Sequence, residues 1–505
     1  MMSSSNSVNL LLVKVGTEPG LESIPTEIKR MNPNVKTFGV LNTPDQEHEF
    51  DIVVTSSHEA CLGAHPEYFS ENLFVRPEIY SELSKVEGQA LRIYERVAIH
   101  DLTKVKHPAH PIPDFNDSVD DRSQLFLRQV AFWDWALTHH QIQAVVAQNY
   151  GHVGWDLVLQ NTAKTLGIPY LFFHEVRPFL KSLYVHEEVN QIGDLKLGRE
   201  LIRGAQNNNW YKGDSPHRRE VMAEQLGLTT GTLVAGDSHS LGFVPRLWSR
   251  IGDPRSLPTR LSKSIQRRAR NSGSVADERR AITVGPLPKN YVFCELQSQP
   301  NATTAVKGWT VPDQRESLAM IAKYLPPGWR LVVKESDRQW SRMYPRRKNF
   351  WSHIAAIPNV CVVASTEDTN SLARGSKVVV ETSYSTIALD AIKRGTPIIV
   401  FGYSHIAHLP GVHPVRCEQD VADAMMTLCG DAPTRSSVDE VMTKLEIFLQ
   451  ETKSATIEGA LSSMPKFSSS EEKSRYLSQL ATNVAGVISC WLATKNLDVR
   501  CHLKR

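Results

Sequence analysis

The chain has 505 residues, more than one hydrophobic core ordinarily serves, so we expect two α/β domains of roughly 200–250 residues each. Its 57 Lys and Arg against 54 Asp and Glu leave a formal charge of +3, which is too small over this length to make nucleic acid the main partner. The hydrophobic fraction of 41% and the charged fraction of 22% are those of a folded globular protein.

The elements of the N-terminal half follow the pattern of an open α/β sheet. Short apolar runs predict buried strands at Val8–Val15, Val35–Leu41, Phe50–Thr55, Ala144–Gln148 and Pro169–Phe173. Apolar residues at helical spacing predict helices at Ser123–His139 and Trp155–Leu166, whereas the Pro- and His-rich stretch Ile99–Asp121 predicts a loop. We therefore place a Rossmann-like domain at residues 1–245.

A cleaner alternation of strands and helices begins at Tyr291. Strands are predicted at Tyr291–Leu296, Arg330–Lys334, Val360–Ala364, Lys377–Glu381 and Pro397–Phe401. Helices are predicted between and after them, at Asp313–Tyr324, Gln339–Ile357, Thr386–Arg394 and Gln419–Cys429. Strand and helix in turn predict a second parallel, doubly wound sheet at residues 289–465. Residues 246–288 are the predicted linker, and residues 466–505 hold a helix expected to pack back on the domains.

The predicted linker carries a basic run. Its members are Arg246, Arg250, Arg255, Arg260, Lys263, Arg267, Arg268 and Arg270, with Asp253 among them. A solvated linker is one explanation of this run, and contact with phosphates or an anionic membrane surface is the other. The seven cysteines are scattered without a C-x-x-C pair, the first seven residues are polar, and no apolar run reaches ~18 residues. We expect a cytoplasmic protein with reduced thiols, and peripheral contact with the inner face of the membrane is left open.

The segment Glu381–Ala391 follows a Val-rich strand and opens a helix. Ser383, Ser385 and Thr386 stand where the helix begins, and the N–H groups and hydroxyls of that position suit phosphate oxygens. Asp390, about one turn further on, is placed to reach a ribose hydroxyl. Ordinary capping by Ser383 or Ser385 is the alternative explanation of the same pattern.

Two more polar loops follow neighbouring strands. Amides and hydroxyls able to bind a base, a sugar or a phosphate follow the first strand, at Gln297, Gln299, Asn301 and Thr303. Lys334 and Glu335 leave the next strand, and we expect Lys334 at a solvent-facing rim where it neutralises phosphate charge. Because the carboxyl ends of parallel strands share one edge, the three loops together predict a nucleotide site.

Scattered motifs between residues 288 and 404 form a set. They are the run Tyr291–Thr304, Asp313-Gln314, Leu325-Pro326, Val333-Lys334-Glu335, Pro358-Asn359-Val360, Asp390-Ala391, Arg394-Gly395-Thr396-Pro397 and Phe401-Gly402. The set resembles the capsule polysaccharide synthesis family, which includes bacterial Kdo transferases of the GT-B type. A looser resemblance covers Ala144–His174, through Asn149-Tyr150-Gly151-His152 and Gly167-Ile168-Pro169. The chain has Ser336 where the family usually has His after Lys-Glu, and Thr382-Ser383-Tyr384-Ser385 where Gly-Thr is common.

The resemblance implies a GT-B fold, in which two Rossmann-like domains face a cleft, with the donor nucleotide on the C-terminal domain and the acceptor on the N-terminal one. It implies a glycosyltransferase of capsule or surface polysaccharide biosynthesis that moves a sugar, Kdo from CMP-Kdo among the options, to a glycan or glycolipid. Such enzymes need no metal, and no cofactor is expected besides the nucleotide sugar. Helix dipole, hydroxyls and Lys334 would then neutralise the leaving phosphate.

Four residues of the N-terminal domain are candidates for the catalytic base or nucleophile: His152, Asp156, His174 and Glu175. His174 and Glu175 directly follow a predicted buried strand, and His152 and Asp156 are spaced to share a helix face. A helix cap or an internally bonded polar group is the alternative explanation of each.

Two other functions fit the same pattern. A nucleotide-sugar epimerase on this fold would need a second carboxylate at the sugar ring and no acceptor groove, so product analysis without acceptor would distinguish it. A non-catalytic protein that binds polysaccharide or a partner is the other alternative, since Ser336 and the hydroxyl turn depart from the family pattern.

Overall fold

The chain folds into two compact units in the computed structural model, one made of residues 1–226 and 446–505 and the other of residues 227–445. The structure describes residues 7–17, 20–41, 50–63, 75–100, 119–151, 154–176, 182–213, 273–299, 302–308, 311, 313–336, 339, 346–347, 349–383, 385–429, 438–458, 467, 469–495 and 497. The predicted basic run 246–270 and most of the predicted loop Ile99–Asp121 lie outside them.

The described residues contain the following strands: β1 (Val8–Val13), β2 (Val35–Leu41), β3 (Ile52–Ser56), β4 (Ala144–Ala147), β5 (Tyr170–Val176), β6 (Ser182–His186), β7 (Tyr291–Glu295), β8 (Arg330–Lys334), β9 (Val360–Val362), β10 (Val378–Glu381), β11 (Ile398–Phe401), β12 (Val412–Val415) and β13 (Ile457–Glu458).

The helices are α1 (Ile24–Met31), α2 (Ser57–Leu62), α3 (Pro77–His100), α4 (Val119–His139), α5 (Trp155–Thr165), α6 (Lys196–Asn207), α7 (Ala302–Ala305), α8 (Gln314–Lys323), α9 (Phe350–Ala355), α10 (Thr369–Gly375), α11 (Thr386–Lys393), α12 (Glu418–Cys429), α13 (Val438–Ala455) and α14 (Ser470–Thr494). Residues 273–281 are helical as well. In the part of the chain that is described, no helix combines the length and the apolar character that crossing a bilayer requires.

The first unit is built on a seven-stranded sheet. Strands β3, β2, β1, β4 and β5 lie side by side and are parallel, and β6 and β13 extend the sheet in antiparallel fashion. Their near-continuous apolar runs are those of strands buried on both faces. One face is covered by α1, α6 and α14, whose apolar sides form one core with the sheet. The strand order reverses between β1 and β4.

The second unit is built on a six-stranded sheet in the spatial order β9-β8-β7-β10-β11-β12, with every pairing parallel. Numbered from its own first strand, this order is 3-2-1-4-5-6, the order of dinucleotide-binding Rossmann sheets. Its core joins Val292, Leu331 and Val380 on the sheet to Leu318 of α8 and Trp351 of α9. The predicted fold class, two Rossmann-like sheets in one α/β chain, is confirmed.

Several element boundaries differ from the prediction. The predicted helix Gln339–Ile357 is wrong as a continuous element, because Asn349 adopts a left-handed φ of 60° and α9 begins only after it. The second unit ends at Leu445 rather than at residue 465, since Ile457 of β13 pairs with Leu183 of β6 in the first sheet. The C-terminal helix α14 packs on the first unit.

Candidate functional site

Polar residues converge where the second sheet reverses its strand order, between β7 and β10. In open α/β sheets ligands bind outside the carboxyl ends of the strands at such a point. Strand β7 ends at Glu295 and β10 ends at Glu381, and α11 begins after Ser385. The hydroxyl turn 382–385 and the loop 296–299, which both carry predicted donor residues, therefore share this edge.

A row of three charged residues ends the neighbouring strands β10, β7 and β8. Glu295 pairs in register with Lys334, and Cys294 pairs with Val380, which brings Glu381 beside Glu295. The Lys334 Nζ lies 3.7 Å from Glu295 Oε1, and the lysine is only 1% exposed. The predicted solvent-facing position of Lys334 is wrong, because a carboxylate of the adjacent strand holds the ammonium inside the edge of the sheet.

Glu381 is fully buried and links the two loops. Ser385 Oγ lies within hydrogen-bond distance of Glu381 Oε1, and Gln297 donates from Nε2 to Oε2 at 3.1 Å. Burial raises the pKa of Glu381 to about 8, and the negative charge of Glu295 adds to this rise, while the hydrogen bonds with Ser385 and Gln297 oppose it. The carboxyl group is therefore neutral at pH 7.

The loop after β7 is clamped by two glutamine side chains. Gln314 accepts from the Gln297 N–H at 2.6 Å and donates to the Gln297 carbonyl at 2.8 Å. Gln339 does the same for the backbone of Gln299, at 2.8 Å in both directions. Each amide takes the place of a neighbouring strand, so the loop is held extended beyond the end of β7.

A buried ion pair also holds the loop after β7. Arg346 forms two hydrogen bonds to Glu335, at 2.8 and 2.7 Å, and both side chains are almost completely buried. The guanidinium also donates to the Gln297 carbonyl and to Gln299 Oε1, each at 3.0 Å. Glu335, predicted to bind the nucleotide, thus serves as the counter-ion of Arg346.

The remaining predicted donor residues have the following places. Ser385 is the N-cap of α11 and accepts from the Ile387 N–H at 3.3 Å, and Ser383 Oγ donates to the Tyr403 carbonyl at 3.2 Å. Asp390 forms an ion pair with Arg394 one turn along α11. Thr303 lies in α7 and Thr386 is the first residue of α11, whereas Asn301 lies outside the described residues.

Lys307, which the sequence analysis missed, follows α7, and its backbone lies against the loop after β11. The Tyr403 N–H donates to the Lys307 carbonyl at 2.7 Å, and Gly402, with φ 74°, lies so close that a Cβ there would be 2.0 Å from the same carbonyl oxygen. Burial lowers the pKa of Lys307 to about 8. Because Ser383 bonds to Tyr403 as well, Lys307 belongs to the neighbourhood of the hydroxyl turn.

The candidate catalytic residues of the first unit lie near the ends of β4 and β5. His174 is on β5, 5% exposed, with its ring 5.4 Å from that of Tyr150. Asp156 is equally buried in the first turn of α5, where its carboxylate accepts from the Leu157 N–H at 2.9 Å. Glu175 is the next residue of β5, and His152 lies outside the described residues. Their catalytic roles stay predictions.

His186 on β6 completes a buried cluster of rings with His174. It lies 5.7 Å from the Phe172 ring and stacks on Tyr184 at 6.1 Å, and within the described residues its Nε2 has no hydrogen-bond partner. Burial lowers the pKa of His186 to about 4, against a smaller opposing effect of Asp194. This histidine is neutral in the folded protein.

The corresponding reversal point of the first sheet, between β1 and β4, has a different character. Lys14, with a left-handed φ of 59°, places its ammonium 5.2 Å from the centre of the Trp155 ring. The cavity beside it, lined by Gly16, Gln148, Phe173 and other mostly apolar residues, measures about 10 Å³, room for about one water. No group of three or more His, Cys, Asp or Glu residues suited to a metal occurs in the described parts of either unit.

Comparisons with known proteins give low similarity. No family model matches the sequence, and no curated protein does. Among solved structures, the UDP-GlcNAc 2-epimerase of Methanocaldococcus jannaschii is 9% identical over 88% of this chain and 99% of its own, with a TM-score of 0.25. A trehalose-phosphate synthase of Burkholderia vietnamiensis is 11% identical over 97% and 99%, with a TM-score of 0.28. The calicheamicin glycosyltransferase CalG4 is 13% identical over 90% and 95%, with a TM-score of 0.24. At these scores the likenesses bear neither on fold nor on activity.

Breaking the buried ion pair of Arg346 with Glu335 should cause a large loss of stability that a second substitution restores. Replacing Arg346 with Met should lower the free energy of unfolding of the second unit by about 3–5 kcal/mol, because Glu335 is left as an uncompensated buried charge. Adding Glu335→Gln should restore most of the loss. Denaturant unfolding of the single and double variants measures both. The control is Arg315→Met, whose partly exposed pair with Asp313 should contribute at most about 1 kcal/mol. Equal losses in R346M and R315M would contradict the prediction.

His186 predicts an acid sensitivity of the first unit. The folded protein keeps this ring neutral down to about pH 4, whereas the unfolded chain binds the proton below pH 6.5. Stability is therefore lost as the pH falls from 6.5 to 4, by about 3 kcal/mol in all. His186→Phe should remove that part of the pH dependence of unfolding. The same change at exposed His139 should not, and an unaltered acid profile in H186F would refute the assignment.

Proposed function

We propose that the protein is a glycosyltransferase that uses a nucleotide sugar held by the second unit. The observation that carries the proposal is the convergence of the loops after β7, β10 and β11 at the reversal point of a sheet with the 3-2-1-4-5-6 order. Sheets of this order hold nucleotides at that point. The small, mostly apolar cavity at the reversal point of the first sheet favours the second unit as the donor side.

The proposed phosphate position is the N-terminus of α11. The first turn of a helix offers unpaired N–H groups and the positive end of its dipole, and hydroxyls of the preceding turn add hydrogen-bond donors. Ser385 supplies such a hydroxyl there. In this proposal Lys307 is the cation that neutralises the phosphate, because its backbone packs against Gly402 and Tyr403 next to the hydroxyl turn.

The finer assignments rest on the sequence resemblance. The motifs shared with Kdo transferases make CMP-Kdo the first donor to test, with a glycan or glycolipid of capsule or surface polysaccharide as acceptor. Among the first-unit candidates for the base, Asp156 and His174 are both buried, so either would act on acceptor only after local opening of the structure. The transfer is proposed to take place in the cytoplasm without a metal ion.

A nucleotide-sugar epimerase is the second candidate. One observation favours it: the edge that holds the nucleotide in our proposal carries two carboxyl groups, Glu295 and Glu381, on adjacent strands. Proton removal and return at a sugar carbon needs acid and base groups of this kind. Epimerisation requires no acceptor, which separates the two activities experimentally.

The proposed function predicts that the protein binds a nucleotide. A screen of CMP, UDP, GDP and TDP should raise the melting temperature with at least one of them, because a ligand bound only by the folded state stabilises it. Ser385→Ala and Lys307→Met should each weaken binding of that nucleotide about tenfold or more, the loss of a hydrogen bond to a charged group being worth roughly 1.5–3 kcal/mol. Equilibrium titration measures the dissociation constants.

The matched control is Ser469→Ala. Ser469 is also an N-cap serine, of α14 in the first unit, and accepts from the Glu472 N–H at 3.1 Å. Its loss should cost similar stability and leave nucleotide affinity unchanged. If Ser385→Ala binds as tightly as Ser469→Ala, the phosphate is not at α11.

The proposed function also predicts which products form with and without an acceptor. With CMP-Kdo or another nucleotide sugar alone, a transferase should release little product, and sugar transfer should appear only when a glycan or glycolipid acceptor is added. Conversion of the nucleotide sugar into its epimer without acceptor would instead establish the second candidate. Chromatography of the nucleotide products with mass spectrometry and proton exchange from solvent distinguishes these results.

A further inference from the structure

The row of residues that ends β10, β7 and β8 holds two carboxyl groups and one ammonium. Glu381, Glu295 and Lys334 stand side by side at the ends of β10, β7 and β8. The one ammonium of this row lies 3.7 Å from Glu295, which also accepts from Thr369 Oγ1 at 3.1 Å. Glu295 is thereby provided with a counter-ion, and Glu381 is left with none of its own in this row.

Glu381 has no cation among its described register neighbours. On the β11 side its register partner is Val400, and on the β7 side lie Cys294 and Glu295. Burial beside these carboxylates raises the pKa of the Cys294 thiol as well, so Cys294 is neutral. The side-chain partners of Glu381 are the neutral groups of Ser385 and Gln297. A proton is then the least costly way to neutralise a buried carboxylate.

The hydrogen bonds decide which oxygen carries that proton. Gln297 donates from Nε2 to Oε2, so Oε2 must accept. A proton on Oε1 has Ser385 Oγ within reach as its acceptor, so the proton is assigned to Oε1. A hydroxyl oxygen accepts two hydrogen bonds and donates one. Ser385 Oγ can accept from Glu381 and from the Ile387 N–H together, which leaves its own hydrogen for another acceptor.

We propose that Glu381 is a proton-linked positioning residue of the nucleotide site, whose neutral form frees the Ser385 hydroxyl to donate to a nucleotide phosphate and whose ionised form withdraws it. An ionised Glu381 has no hydrogen to give, so Ser385 must donate to the carboxylate instead. The ionised form also adds a negative charge beside the N-terminus of α11, where the phosphate binds in our proposal. This inference rests on the proposed nucleotide site.

The affinity for nucleotide should follow the protonation of Glu381. If only the neutral form binds, the apparent dissociation constant is the intrinsic one divided by the neutral fraction. With a pKa of about 8, the ionisation of Glu381 alone should weaken binding about tenfold between pH 7 and pH 9. The carboxyl group of Glu381 is neutral below pH 8, so the affinity for nucleotide is lost as the pH rises through that value.

Glu381→Gln is the decisive variant. Its amide has the hydrogen pattern of the protonated acid, with an NH₂ that donates to Ser385 Oγ and a carbonyl that accepts from Gln297. We expect E381Q to bind the nucleotide at pH 7 within about twofold of wild type and to lose less affinity than wild type between pH 7 and pH 9. Lys307 also titrates near pH 8, but its contribution is common to both proteins. The fall from pH 7 to pH 9 should therefore be about tenfold smaller in E381Q.

Three further measurements complete the test. Glu440→Gln, at an exposed pair with Lys444, should reproduce the wild-type pH profile. The infrared band of a protonated carboxyl should be present in wild type at pH 7 and absent both at pH 9 and in E381Q. Circular dichroism establishes that E381Q is folded.

The outcomes separate this inference from the proposed function. A nucleotide affinity that falls equally in wild type and E381Q, or an E381Q that binds much more weakly than wild type at pH 7, overturns the role of Glu381 and leaves the nucleotide site standing. Absence of binding by the wild type at every pH removes the nucleotide site and this inference together.

Discussion

The structure of the candidate site depends on the charges of one row of residues at the carboxyl edge of the second sheet. Three parallel strands end there with Glu381, Glu295 and Lys334, and the register of the sheet sets these residues side by side. The one ammonium of the row lies against Glu295, so the buried carboxyl group of Glu381 takes a proton instead. The neutral carboxyl group of Glu381 then forms hydrogen bonds with both Ser385 and Gln297 without repulsion from the neighbouring Glu295.

Rigidity of the neighbouring loop follows from the same concentration of polar groups. The backbone of Gln297 and Gln299 leaves the sheet with no strand beside it, and the amides of Gln314 and Gln339 take the place of one. Arg346, paired with the buried Glu335, also donates hydrogen bonds to Gln297 and Gln299. A loop held at this many points pays little ordering entropy on binding a ligand, which is the advantage of a preorganised site.

The sheets could be predicted from the sequence because most of their strands are short apolar runs and because strands and helices alternate from β7 to β11. The destinations of the polar side chains could not. Whether Lys334 faces solvent or a carboxylate depends on which strand lies beside β8, and a period along the chain carries no record of that pairing. Lys307 gave no signal either, since its position is set by the close approach of Gly402, almost a hundred positions along the chain.

Some short elements were also missed, namely the strands β6 and β12 and the start of α9 after Asn349. Tertiary context overrules the local preference of single residues and brief runs, so the sequence alone does not predict such elements.

The two sheets reverse their strand order in the same way but fill the reversal point differently. In the first sheet Lys14 lies against Trp155 over a cavity of about 10 Å³, and the histidines of β5 and β6 are enclosed among aromatic rings. In the second, hydroxyls, amides and carboxyls meet at the strand ends. A shared topology thus leaves the chemistry open, and the side chains at a few strand ends decide it. On that ground our proposal assigns the nucleotide to the second sheet, where neutral hydrogen-bond donors lie beside a helix N-terminus and the carboxyl group of Glu381 is neutral at pH 7.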